Sequence, residues 1–149
     1  MAKQPTPQTQ GFFSPPAENA LPRNLKAVVV DEDARRRSLI AKTLRKTGQM
    51  VATANDESKA LELAMRHRPH FMIFAARNPS SHRLLEENLR DSMGQDAPPI
   101  VVVCQPDQEL EGDGAVVALT EPVDETKLLD VVTYLASAQG WADGPPSFR

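Results

Sequence analysis

Lys26-Ala27-Val28-Val29-Val30-Asp31-Glu32-Asp33 is the stretch on which the reading of this chain turns. Its valines follow one another with no polar residue between them, as in a strand covered on both faces, and three acidic residues end the run abruptly. Ala34 to Lys46 then takes helical spacing, with Ile40, Ala41 and Leu44 on one face and Arg35, Arg36 and Lys42 elsewhere; Gly48 is its stop. The same alternation recurs downstream. Met50 to Ala54 reads as a second strand, and Asp56 caps a helix in which Ala60, Leu61 and Ala64 recur before Pro69. Phe71 to Phe74 is a third apolar run, and His82 to Met93 is a helix with Leu84, Leu85 and Leu89 expected to face inward. Ile100 to Val103 is the strongest strand signal and Ala115 to Leu119 the last. Asp124 caps a final helix carrying Leu128, Val131, Val132 and Leu135 at three-to-four spacing. Apolar strands alternating with amphipathic helices predict an α/β domain: one doubly wound, five-stranded parallel sheet. Such sheets carry their functional site beyond the carboxyl ends of the strands, which singles out the residues after Val30, Phe74, Val103 and Thr120.

Composition narrows the function. The chain has 149 residues, 40% of them apolar and 25% charged, with a formal net charge of -3. That balance supports one packed domain and argues against a protein that grips a nucleic-acid backbone by itself. No apolar run approaches the roughly 20 residues that span a bilayer, and no secretory signal opens the chain, so a cytoplasmic location is expected. The single cysteine, Cys104, sits in an apolar run and reads as a core thiol. Residues 1–24 are rich in proline and glutamine and read as a disordered tail, residues 25–138 as the domain, and residues 139–149 as a flexible tail. Phe12 and Phe13 in the first tail, and Trp141 in the second, are candidate docking residues.

The strand ends carry a resemblance. Val28-Val29-Val30-Asp31-Glu32-Asp33, the run from Arg68 to Pro79, Pro99-Ile100-Val101-Val102-Val103-Cys104, and Val117-Ala118-Leu119-Thr120-Glu121-Pro122 resemble the four signature segments of bacterial response-regulator receiver domains. The match covers about Leu25 to Ala138 and implies the flavodoxin-like receiver fold. It also implies a site of five parts, most of them altered here. Asp31 and Glu32 match the acidic pair that helps such domains hold Mg²⁺. Ala75 stands where the family has its phosphoacceptor aspartate, and Cys104 where it has a phosphoryl-sensing hydroxyl. Glu121 replaces the lysine that neutralises the acyl phosphate, and Ala118 the switch aromatic. The resemblance therefore implies a degenerate receiver, or pseudo-receiver, with no catalytic residue, no cofactor and no metal; if any cation stayed, Asp31 and Glu32 would hold it. Val30-Asp31-Glu32-Asp33-Ala34-Arg35-Arg36-Arg37 is more weakly similar to the receiver part of amidase/nitrate antitermination regulators. Those proteins continue into an RNA-binding domain, for which this chain is too short unless it is a fragment.

Several other features have a bland reading beside a functional one. Gln105 to Gly114 is acidic, contains two glycines and lacks an apolar stripe, so the fourth helix of a receiver is expected to be shortened or missing. That would expose the flank of the last strand and helix, where Ala118, Pro122 and Leu128 are candidate contacts for regulatory or signalling proteins or for a second copy of the chain. The cations Arg35, Arg36, Arg37, Lys42, Arg45 and Lys46 read as a solvated helix face or as a surface for an acidic partner. His67 and His70 lack the further ligands a zinc site needs. Two other functions stay open: phosphoryl transfer to Asp31, and a small-molecule sensor using the space vacated above Ala75.

Overall fold

The computed structural model describes residues 21–75, 81–105 and 116–141. Each apolar run is a strand: β1 (Lys26–Asp31), β2 (Met50–Ala54), β3 (Phe71–Ala75), β4 (Ile100–Cys104) and β5 (Val116–Thr120). The helices are α1 (Ala34–Lys46), α2 (Glu57–His67), α3 (Ser81–Met93), followed by a 3-10 turn at Gly94–Asp96, and α4 (Glu125–Gln139). All strand pairs are parallel and the order is β2-β1-β3-β4-β5, as a doubly wound sheet requires. Four α-helices stand among the described residues, which accords with a shortened fourth helix; residues 106–115, where that helix would fall, lie outside them. So does Ala115, the expected start of the last strand.

Contacts group residues 23–128 into one compact unit, which contains the whole sheet, α1 to α3 and the first turn of α4. Residues 129–141 belong to a second unit with the remainder of α4, where Val132, Leu135 and Ala136 are buried. Within the first unit, Val28, Val30, Met72, Phe74, Ile100 and Val102 form one face of the sheet. They pack with Ala60, Leu63 and Ala64 of α2 and with Leu85 and Leu89 of α3. The alternate residues Ala27, Val29, Phe71, Ile73, Val101 and Val103 are buried too, as strands without polar alternation predict.

Local chemistry sets the helix limits. The carboxylates of Asp33, Asp56 and Asp124 each accept a backbone N–H from the first turn of the helix that follows. At the far end of α1, Gly48 N–H donates to Arg45 C=O and Gln49 N–H to Leu44 C=O, with Gly48 at φ 92°. This is a Schellman ending, and the left-handed residue at its centre favours glycine. Two helix faces depart from the sequence reading. Leu84 is 55% exposed, because the buried line of α3 runs through His82, Leu85 and Leu89. In α2 the buried leucine is Leu63, while Leu61 is only half-buried.

His70, just before β3, ties the amino end of the sheet together. Its Nδ1 accepts the Lys26 N–H at 3.0 Å, and its own N–H donates to Lys26 C=O at 2.8 Å. Burial, helped by the Lys26 ammonium, holds the imidazole pKa below its ordinary value. The folded protein thus binds fewer protons here than the unfolded chain, whose histidine titrates at about 6.5. The His70 contribution is complete above that pH and is lost as the pH falls through it toward the lower folded value. Urea titrations at steps between neutral and mildly acidic pH should show this loss, and His70→Asn, whose Oδ1 stands where Nδ1 does and accepts the same bond without titrating, should flatten the slope.

Candidate functional site

The reversal of strand order falls between β1 and β3, and there Asp31 pairs in register with Ala75. On the next strands Cys104 pairs with Thr120, and Glu121 N–H donates to Cys104 C=O at 2.8 Å. Asp31, Ala75, Cys104 and Glu121 therefore share the carboxyl edge of the sheet. Glu32 is exposed beside them.

The corner is built outward from Asp31, whose side chain is 0% exposed. Its Oδ1 accepts the Asp33 N–H at 2.9 Å, closing the turn that leaves β1. Asp33 Oδ1 then accepts the N–H groups of Arg36 at 3.1 Å and Arg35 at 2.9 Å, which starts α1. Those bonds, that from Arg36 foremost, hold the Asp33 carboxyl below its usual pKa. The first turn so fixed places Arg36 over the strand end. Arg36 Nε donates to Asp31 Oδ2 at 2.6 Å and Nη2 to Oδ1 at 2.9 Å, a bidentate fork. The third nitrogen, Nη1, lies 3.0 Å from Glu121 Oε1. Gln105 Nε2 donates to Glu121 Oε2 at 2.8 Å. The hydrogen bond to Asp31 raises the guanidinium pKa, and burial opposes it.

Sequence reasoning missed Arg36. It matched Asp31 and Glu32 to an acidic pair and Glu121 to the place of a lysine, and set Arg36 on a helix face turned to solvent or to a partner. Instead, Arg36 sits between Asp31 and Glu121 and offsets part of their charge from within. Other cations of α1 also have partners within the chain: Arg37 Nη1 donates to Asp31 C=O, and at the surface Arg45 Nη2 donates to Val51 C=O and Lys46 Nζ to Glu125. The signal was present in Asp31 and Arg36 lying five positions apart across a cap. It was illegible without knowing where Glu121 would come to lie.

A divalent cation, which the receiver resemblance implies at this corner, does not fit the residues as placed. Both oxygens of Asp31 accept N–H donors, Glu121 is held by Arg36 and Gln105, and Ala75 has no ligand to offer. Among the described residues no group of three His, Cys, Asp or Glu side chains is arranged to hold a metal. The same bonds oppose phosphoryl transfer to Asp31, whose lone pairs are already directed at donors. Burial raises the Cys104 thiol pKa and Glu121 raises it further, so the group stays protonated.

Of the candidate contact residues, Ala118 and Pro122 are exposed and Trp141 is half-buried. Leu128 is 0% exposed; the helical spacing that singled it out directs it inward, so it is a core residue and not a docking one. Phe12 and Phe13 lie outside the described residues. No described helix is long and apolar enough to cross a membrane.

Two outcomes follow from this geometry. Glu121→Lys places an ammonium against the Arg36 guanidinium and should destabilise the fold by about 1–3 kcal/mol in urea titrations; an unchanged midpoint would show that the bridge contributes nothing. Cys104 should react with iodoacetamide far more slowly in the native protein than in urea.

The sequence matches no family model and no curated protein. Solved structures do match. The chain is similar to the chemotaxis response regulator CheY4 of Vibrio cholerae, at 23% identity over 75% of this chain and 98% of that one, with a TM-score of 0.64. It is similar to a CheY-like receiver domain protein from Methanospirillum hungatei at 17% identity, 80% and 98% coverage, and a TM-score of 0.65. The receiver domain of Saccharomyces cerevisiae Ssk1, solved with the histidine phosphotransfer protein Ypd1, matches at 16% identity, 85% and 95% coverage, and a TM-score of 0.68. With its strand order and parallel register, the chain has the flavodoxin-like fold of response-regulator receiver domains.

Proposed function

We propose that this chain is a phosphorylation-independent pseudo-receiver, a non-catalytic module that binds regulatory or signalling proteins in the cytoplasm. The observation that carries the reading is the Arg36 fork on Asp31, opposite a strand end that holds Ala75. A receiver reaction needs a free carboxylate, a metal and a cation that meets the phosphoryl group. Here the strand end opposite Asp31 offers a methyl group, and the buried Asp31 carboxylate is paired. Glu121 adds negative charge where a phosphoryl group would arrive. A signalling protein as partner is supported by the Ssk1 receiver, which was solved bound to a phosphotransfer protein. The exposed Ala118 and Pro122 mark the flank of β5 as the first surface to map.

The test is to add Mg²⁺ and beryllofluoride to the full-length protein while following amide shifts, with acetyl phosphate and intact-mass measurement in parallel. No shift at Asp31 or Ala75 and no mass gain are expected. Saturable shifts around Asp31, or a phosphorylated species, would make the chain an atypical phosphoacceptor and overturn the proposal. Thermal-shift screening against nucleotides and metabolites checks the sensor function, since a ligand at 100-fold its dissociation constant adds about 2.7 kcal/mol.

A further inference from the structure

The four carboxylate oxygens at the carboxyl edge of the sheet all have N–H partners. Asp31 Oδ1 accepts from Asp33 N–H and Arg36 Nη2, and Asp31 Oδ2 from Arg36 Nε. Glu121 Oε1 faces Arg36 Nη1, and Glu121 Oε2 accepts from Gln105 Nε2. Arg36 supplies three of these donors, and one positive charge between two negative ones. In sheet order β3 and β4 lie between β1, which ends in Asp31, and β5, which Glu121 follows, so the guanidinium joins side chains that start three strands apart. Mg²⁺ would need oxygen ligands at about 2.0–2.1 Å in octahedral array, and the carboxylate oxygens of Asp31 and Glu121 are all directed at nitrogen. The guanidinium also comes fixed in place, because the Asp33 cap orders the turn that carries it.

We propose that Arg36 is a tethered replacement for the divalent cation: it keeps the corner folded without metal, and a divalent-ion site is gained only when Arg36 is taken away. This deepens the pseudo-receiver reading and rests on it, since a corner that needs no metal has no use for a phosphoryl group. Asp31, buried and without its guanidinium, would then recruit the ion together with Glu121 and water.

The experiment compares melting midpoints of the full-length wild type and Arg36→Met, with EDTA and with Mn²⁺ or Mg²⁺, while far-UV circular dichroism checks the fold. The wild type should melt at one temperature in all three conditions. Arg36→Met should melt about 5–10 °C lower in EDTA and recover part of that loss in Mn²⁺. Adding Glu121→Gln to Arg36→Met should weaken the recovery. A wild type stabilised by either ion overturns the inference, and so does a folded Arg36→Met that ignores both. If Arg36→Met does not fold, Arg36→Lys decides. Its shorter, single-headed cation leaves part of Asp31 open, so Mn²⁺ should raise its midpoint, and indifference to Mn²⁺ overturns the inference. No phosphoryl donor or partner protein enters these measurements. A metal-responsive wild type that still refuses beryllofluoride would end this inference and leave the functional reading standing, whereas acetyl-phosphate labelling would end that reading.

Discussion

A carboxylate withdrawn from water at the end of a central strand must have its charge answered inside the fold. Asp31 is such a group, and the answer is Arg36. An ion left unpaired at that depth costs several kcal/mol, a large share of what a domain of this size has to spare. Much of the surrounding structure serves to make the pairing available. The Asp33 cap starts α1 early enough to bring Arg36 over the strand end, and β5 delivers Glu121 to the other side of the guanidinium. Arg37 closes the same corner through the Asp31 carbonyl.

The positive charge of α1 therefore has a different meaning from the one its sequence suggests. A run of three arginines on an amphipathic helix looks like a surface for an acidic partner. In the fold, Arg36 and Arg37 close on the end of β1, Arg45 covers a carbonyl of the edge strand β2, and Lys46 reaches Glu125 in the first turn of α4. The exposed pair Lys46–Glu125 adds little to stability, as ion pairs in water do. The fork on Asp31 is the one that matters, because that carboxylate cannot exchange it for solvent.

How much could be read in advance follows from the range of each interaction. The strands were legible because five short apolar runs lie between helical patterns, and their observed limits differ from the sequence reading by about one residue. The caps at Asp56 and Asp124 were legible because a cap is chosen by its immediate neighbours. The phase of a helix was less so: Leu84 and Leu85 are adjacent and equally apolar, and only the packed sheet decides that Leu85 is inside. Leu128 was identified by the correct periodicity and given the wrong side. The positions of Asp31, Ala75, Cys104 and Glu121 at one edge were foreseeable from strand order. The Arg36 bridge was not, because it joins residues 85 positions apart in sequence whose meeting depends on the whole sheet.

That bridge also constrains how the sequence can change. An aspartate at position 75 would set a third carboxylate beside two that share one cation. A lysine at 121 would face a guanidinium, and loss of Arg36 would leave Asp31 bare. Each single change at positions 36, 75 or 121 would leave a charge unanswered, so the three positions constrain one another. The corner acts as a ratchet on substitution: a new charge pattern there is reached by changing these positions together, not one at a time.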